Sequence, residues 1–165
     1  MSEKKICDNT SVGVIALDDQ GRILLVERRK FPTEILWRAK APLQETSPSF
    51  GWAPPFGHCD DCNYGSAAFR EFEEKTGLQI VGAPMPLIPK NPRKNLKCRR
   101  GGQYHDWQIF EVNWKGILKP NHDEIINAKW HTSEEIRKLA ENTSNLISPG
   151  LELVWCQFFR ELTII

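Results

Sequence analysis

Residues 66–78, SAAFREFEEKTGL, predict a short helix that has one apolar face and ends at a glycine. Ala68, Phe69 and Phe72 recur at helical spacing, and Gly77 stands where a left-handed C-cap is expected. A helix this short depends on tertiary packing, because isolated helices of its length are marginal in water. The segment therefore needs a sheet or further helices against its apolar face.

The strand signals lie on both sides of this helix. Two β-branched, apolar runs, Val12–Leu17 and Arg22–Arg28, flank the polar turn DDQG and predict a β-hairpin. YHDWQIFEVNW (104–114) alternates as a half-buried strand does, and INAKWHT (126–132) predicts a later strand. Strands around a central helix, with more helices towards the C-terminus, predict a mixed α/β (α+β) domain.

Polar residues mark where the helices should begin. Asn63 or Ser66 is the expected N-cap of the central helix. Thr132 and Glu135 form a capping box for a short helix. Ser148, followed by proline, is the expected N-cap of a packed terminal helix.

Length and composition fit one domain over residues 1–165, with a proline-rich insertion loop at about 31–50. No apolar run is long enough to span a membrane, and no apolar segment follows the basic N-terminal residues as in a signal peptide. Five cysteines without a secretory signal favour free thiols and a cytoplasmic location. The formal net charge of +1 excludes no class of partner, so electrostatic arguments must be local.

Glu71, Glu74 and Lys75 stand at i, i+3 and i+4, which places them on one face of the central helix. Two carboxylates one turn apart can share a hard cation such as Mg²⁺, which can bridge phosphate oxygens and activate water. The alternative is a solvated charged face, which is the commoner meaning of such spacing.

The surrounding segment, WAPPFGHCDDCNYGSAAFREFEEKTGLQI, resembles the signature of the Nudix hydrolase superfamily. The signature positions that match are Arg70, Glu71, Phe72, Glu74, Gly77 and Leu78. The residues that resemble those preceding it in relatives are Trp52, Pro55, Gly57 and His58. The resemblance extends over about residues 10–160 and implies a Nudix-like mixed sheet sandwiched between helices.

Three departures from the signature bear on the chemistry. Lys75 replaces the last glutamate, the loop from Gly57 to Arg70 is one residue short, and the first glutamate would fall at Cys62 or Asn63. Two unit charges about 5 Å apart interact by roughly 3 kcal/mol at an effective dielectric near 20. An ammonium in place of a carboxylate therefore weakens a cation site strongly if it stays close.

The resemblance implies a hydrolase that cleaves the pyrophosphate bond of a nucleoside diphosphate derivative, using Mg²⁺ or Mn²⁺ and in-line attack by water. Glu71 and Glu74 are the implied metal ligands. Asp60, in the loop before the helix, is a candidate replacement for a missing ligand, and the alternative is that Asp60 and its neighbour Asp61 are loop or turn residues. Arg70 would orient Glu71, and Glu124 would position the water. The expected substrate-binding residues are Gly57, His58, Lys75, Arg99, Arg100 and Trp37.

An alternative that Lys75 favours is a catalytically inactive module that binds a nucleotide or sugar nucleotide. Under either reading the expected partner is a nucleotide-type small molecule, with no membrane. Dimers are common for this fold, so the resemblance admits a homodimer.

Two other patterns remain open. The basic loop PKNPRKNLKCRRGG (89–102) could be solvated, could contact the phosphates of a nucleotide, or could contact nucleic acid, which is the least favoured alternative. No aromatic residue interleaves with the basic ones, which argues against stacking on a single strand. Cys59 and Cys62, beside His58, could form a zinc or redox site, with Cys98 and His105 joining from elsewhere in the chain.

Overall fold

The computed structural model describes residues 5–30, 49–60, 63–88, 92–142 and 149–165. Its elements in chain order are β1 (Thr10–Ala16), β2 (Ile23–Arg29), β3 (Ser49–Ala53), β4 (Phe56–His58), α1 (Tyr64–Thr76), β5 (Gln79–Pro86), β6 (Arg93–Lys94), β7 (His105–Lys115), β8 (Ile125–His131), α2 (Ser133–Glu141) and α3 (Leu153–Glu161). The α+β class with a mixed sheet is confirmed. None of the helices in the described ranges is long and apolar enough to cross a membrane.

The chain divides into two compact units. The first comprises residues 1–16 and 55–117, and the second comprises residues 17–54 and 118–165.

The first unit is built on a five-stranded mixed sheet. Its order is β4-β1-β7-β5, with β6 pairing to β7, and only β1 and β7 run parallel. β1 lies between two partners, which explains why every residue of the strand after Thr10 is buried. This sheet carries the residues around the predicted site.

Helix α1 packs against β1, β4 and β5 of this sheet. The Asn63 side chain caps it by accepting a hydrogen bond from the Ser66 N–H at 2.7 Å, and Gly77 ends it at φ 74°. The cap at Asn63 and the glycine stop are confirmed. Burying Phe72 completely contributes about 1.5–3 kcal/mol to packing. Phe69, predicted on the apolar face, is instead 41% exposed.

The second unit contains a three-stranded antiparallel sheet of order β3-β2-β8. Helix α2 begins at the predicted capping box, in which Thr132 and Glu135 bond reciprocally. The buried side chains of α3 are Val154, Trp155, Cys156, Phe158 and Phe159.

The predicted hairpin between the first two strands is wrong. The turn forms, since the Gly21 N–H donates to the Asp18 carbonyl, but only Leu17 and Ile23 form a bridge across it. Each strand has both edges occupied by other partners, β1 by β4 and β7, and β2 by β3 and β8. No free edge remains for β1 and β2 to pair with each other.

The terminal helix begins later than predicted. Trp52 donates its N–H to the Gly150 carbonyl at 2.8 Å and accepts from the Glu152 N–H at 2.9 Å. The chain before α3 therefore pairs with β3 as an extended segment, and Glu152 is the N-cap. The predicted cap Ser148 lies outside the described residues.

Candidate active site

Glu71 lies on the buried side of α1, with the residue only 7% exposed. The backbone of Gly57 in β4 lies against its carboxylate. A Cβ atom added at Gly57 would stand 2.3 Å from both Cδ and Oε2 of Glu71. Any side chain at position 57 would therefore require the Glu71 carboxylate to move.

Arg70 connects Glu71 to the loop before the helix. Its Nη2 atom donates to the His58 carbonyl at 2.7 Å, to the Cys59 carbonyl at 3.3 Å and to Glu71 Oε1 at 3.3 Å. These contacts fix the loop and the carboxylate relative to each other. The role of Arg70 in orienting Glu71 stays a prediction.

Lys75 contacts the other oxygen of the same carboxylate. Its Nζ atom lies 3.2 Å from Glu71 Oε2, and the Lys75 and Glu71 side chains are 13% and 10% exposed. Each oxygen of Glu71 therefore faces a cationic side chain, Oε1 facing Arg70 and Oε2 facing Lys75.

The divalent ion that the resemblance implies does not fit beside Glu71 in this arrangement. An ammonium and a dication about 5 Å apart repel by roughly 7 kcal/mol at an effective dielectric near 20. Lys75 already occupies the position of a cation at Oε2. The site can accept an ion at Glu71 only after Lys75 has moved.

Glu74 offers a different environment on the same helix. It is exposed, and it stands one turn after Glu71. An exposed carboxylate can hold one hard cation that keeps most of its waters. The described part of α1 therefore does not fit a multi-ion cluster centred on Glu71, and the role of Glu74 as a metal ligand stays a prediction.

Asp60, the third predicted metal ligand, is bonded to basic residues. Its carboxylate accepts from Arg100 and lies 3.5 Å from Lys5 Nζ. Burial raises the pKa of Asp60, but the hydrogen bond and charge of Arg100 and the charge of Lys5 outweigh it and hold that pKa below its ordinary value. Its role as a metal ligand stays a prediction.

The remaining predicted residues lie in varied surroundings. Arg99 is exposed, and Arg100 is half-buried in its pair with Asp60. Trp37 lies outside the described residues. Glu124 is half-buried in the second unit, where its carbonyl accepts from the Arg29 N–H at 2.8 Å.

The basic loop is partly neutralised by carboxylates. Arg93 makes two hydrogen bonds to Asp106, at 2.8 and 3.1 Å, and its guanidinium lies 3.9 Å from the centre of the Tyr104 ring. Arg100 is neutralised by Asp60. These pairs reduce the charge that the segment can offer to a nucleic acid.

His58 is half-buried, and its Nε2 atom has no hydrogen-bond partner among the described residues. Burial, then the nearby Arg100 and His105, lower the pKa of His58 to about 4. The side chain lies with Cys7, Cys98 and His105. Sequence reasoning missed Cys7, which no local spacing connects to the other three.

Comparison with known proteins supports the architecture. The family model for the NUDIX domain matches residues 8–149. A MutT protein from Methanosarcina mazei Go1 superimposes with a TM-score of 0.63 at 19% identity, over 99% of this chain and 96% of that one. A UDP-X diphosphatase structure gives a TM-score of 0.56 at 12% identity, over 99% of this chain and 65% of that one.

One curated relative is similar in sequence. The isopentenyl-diphosphate delta-isomerase of Candida albicans is 27% identical over 101 residues, which cover 56% of this chain and 35% of that protein. The chain thus matches about a third of that relative's length. Since the family model covers most of the sequence, the chain belongs to the NUDIX domain family.

Proposed function

We propose that the protein hydrolyses the pyrophosphate bond of a nucleoside diphosphate derivative at a site with an altered metal requirement. The observation that carries this proposal is the contact of Lys75 Nζ with Glu71 Oε2 at 3.2 Å. This contact places a positive charge at the Glu71 carboxylate, which would otherwise bind the metal ions that the Nudix resemblance implies. The fold, the Arg70 brace and the exposed Glu74 support the retention of phosphate chemistry.

Three charged side chains of the first unit would have different roles in this reaction. Arg70 holds Glu71 and the loop carbonyls in place. The Lys75 ammonium can stabilise phosphate charge when a diphosphate competes with Glu71 for it. A Mg²⁺ or Mn²⁺ ion held by Glu74 would supply further positive charge to the phosphate oxygens.

The reaction itself needs little covalent chemistry from the protein. A water molecule attacks one phosphorus atom and loses a proton to solvent. The bond between that phosphorus and the bridging oxygen breaks, and the other phosphate group leaves with the bridging oxygen and its electron pair. Catalysis then depends on positioning and charge stabilisation. Glu124 stays a prediction as the residue that positions the water.

A second candidate is a binding module without turnover. The same contact between Lys75 and Glu71 favours it, because a neutralised carboxylate is a poor metal ligand. Such a module would keep affinity for the diphosphate group through its basic residues. The two candidates make different predictions for Glu74.

The test is cleavage of a panel of nucleoside diphosphate derivatives into the nucleoside monophosphate and the phosphorylated second group, with Mg²⁺ and Mn²⁺ titrated. Isopentenyl diphosphate belongs in the panel because one relative is an isomerase of that compound. Glu74→Gln should abolish turnover and leave nucleotide binding largely intact. Glu73→Gln, at a neighbouring exposed position on the same helix, is the matched control and should keep turnover.

Binding without turnover in the natural protein, unchanged in Glu74→Gln, would support the second candidate. Failure to bind any member of the panel would contradict both. Isomerisation of isopentenyl diphosphate without phosphate release would also contradict the hydrolytic proposal.

A further inference from the structure

Four potential metal ligands from separate parts of the chain meet in the first unit. Cys7 precedes β1, His58 ends β4, Cys98 lies in the loop after β6, and His105 begins β7. One ligand atom from each lies within 4.8 Å of all the others. Of the four, only His58 was predicted to bind substrate, and the hydrolysis proposed above gives none of these side chains a role.

We propose that Cys7, His58, Cys98 and His105 bind a structural zinc ion. Two thiolates and two imidazoles form one of the usual tetrahedral donor sets for zinc. Zinc–sulfur bonds of about 2.3 Å and zinc–nitrogen bonds of about 2.0 Å place neighbouring donors about 3.3–3.8 Å apart. The observed Cys7 Sγ to His105 Nε2 distance of 3.3 Å is close to this range, and the upper limit of 4.8 Å requires shifts of only about 1 Å.

Backbone groups already point at the two sulfur atoms. The Asn9 N–H donates to Cys7 Sγ at 3.3 Å, and the Gly102 N–H donates to Cys98 Sγ at 3.3 Å. N–H donors of this kind stabilise the negative charge that a metal-bound thiolate carries.

The His105 ring is also held for ligation. Its Nε2 faces Cys7, while the ring hydrogen-bonds the backbone of Leu96. A metal-binding histidine usually has such an outer hydrogen bond, which fixes the tautomer and the orientation of the ring.

The loop after β6 folds closely around the sulfur atoms. The Cys98 N–H donates to the Gly102 carbonyl at 3.0 Å, and the Gly101 N–H donates to the Cys98 carbonyl at 3.1 Å. A Cβ atom at Gly102 would stand 2.5 Å from Cys7 Sγ and 3.1 Å from Cys98 Sγ. The backbone itself therefore forms one wall of the site.

The charges balance when zinc is bound. Two thiolates neutralise one Zn²⁺, so the complex adds no net charge to a half-buried position. Without the metal, the buried Nε2 of His58 has no hydrogen-bond partner among the described residues. Ligation would satisfy an imidazole of this kind, and binding would displace a proton from each thiol.

The expected role is structural because four protein ligands leave no open coordination position. The ion would join the segment before β1 to the loop before β7. A depression of about 230 Å³, lined by Ile6, Gln103 and Tyr104 among others, opens beside Cys7 and gives the metal a route to the site.

The first measurement is the zinc content of the reduced, purified chain. We expect about one zinc per chain, and its loss in Cys98→Ala. Cys156→Ala is the matched control, because this thiol lies buried in α3 of the second unit and outside the cluster. That variant should keep the metal.

Cobalt substitution tests the donor set without any variant. Co²⁺ added to the metal-free, reduced protein should give thiolate-to-cobalt charge-transfer bands and the intense visible bands of tetrahedral coordination. Glu74→Gln should show the same bands, which separates this site from a metal ion on α1.

Absence of both zinc and the thiolate bands in the reduced natural protein would overturn the proposal. Zinc retained equally by Cys98→Ala would also overturn it. The natural protein could instead contain a Cys7–Cys98 disulfide and take up no cobalt after that disulfide is reduced. This result would also overturn the proposal and would assign the two sulfur atoms to redox chemistry.

Discussion

Lys75 Nζ lies 3.2 Å from Oε2 of Glu71, and neither side chain is more than 13% exposed. The lysine that departs from the Nudix signature therefore does not simply extend into solvent. It neutralises a carboxylate that the sequence predicts to be a metal ligand. We expect this contact to contribute to the stability of α1 and to weaken the binding of divalent ions at Glu71.

Removing the Lys75 ammonium should destabilise the protein. Lys75→Met keeps helix propensity but leaves Glu71 paired only with Arg70 among the contacts given above, and we expect a loss of about 2 kcal/mol of unfolding free energy. Lys138→Met is the control, because Lys138 pairs with Glu134 at the same spacing, 3.4 Å apart, with both side chains largely exposed. That change should cost no more than about 0.5 kcal/mol.

Chemical denaturation measures both values. Equal losses in the two variants would show that the partly buried pair contributes no more than an exposed one.

Gly57→Ala should displace the Glu71 carboxylate. The added methyl group would overlap Cδ and Oε2 of Glu71, so the variant should lose turnover and stability together. Gly65→Ala provides the control on α1, because its Cβ would meet only Asn63 Oδ1 at an ordinary 3.5 Å. We expect Gly65→Ala to raise stability by about 0.5–1 kcal/mol. Thermal unfolding and formation of the nucleoside monophosphate check both variants, and an unaffected Gly57→Ala would contradict the described packing.

Asp60→Asn tests whether Asp60 binds a metal ion or only pairs with Arg100. Since Asp60 pairs with Arg100 and Lys5, we expect Mg²⁺-stimulated turnover to stay unchanged while amide exchange near residue 100 becomes faster. Asp106→Asn, which removes the partner of Arg93, controls for the loss of an ion pair from a neighbouring part of the unit. Loss of Mg²⁺ stimulation in Asp60→Asn alone would instead identify Asp60 as a ligand.

Local signals predicted both ends of α1 and the start of α2. The Asn63 cap, the Gly77 stop and the capping box of Thr132 depend on hydrogen bonds within a few residues, so the sequence contains the information. The pair of Lys75 and Glu71 was also accessible, because residues at i and i+4 meet on a helix.

Local sequence patterns gave wrong or incomplete predictions where distant segments of the chain pair with each other. The first two strands look like a hairpin, yet each has both edges taken by strands far along the chain. Cys7 was missed for the same reason, since its neighbour His105 lies 98 positions away. Spacing rules detect ligands on one segment and cannot detect ligands that a sheet brings together.

The most direct test of the altered metal requirement is the affinity of the protein for Mn²⁺. The electron paramagnetic resonance signal of unbound Mn²⁺ measures this affinity, because the signal falls as the ion binds. Mn²⁺ prefers oxygen ligands, so it reports on the carboxylates rather than on the thiols. Lys75→Glu should bind Mn²⁺ at least about tenfold more tightly than the natural protein, because it exchanges a repelling charge for a ligand. Lys138→Glu should leave the affinity unchanged. Equal affinities in Lys75→Glu and the natural protein would contradict the conclusion that Lys75 occupies a cation position at Glu71.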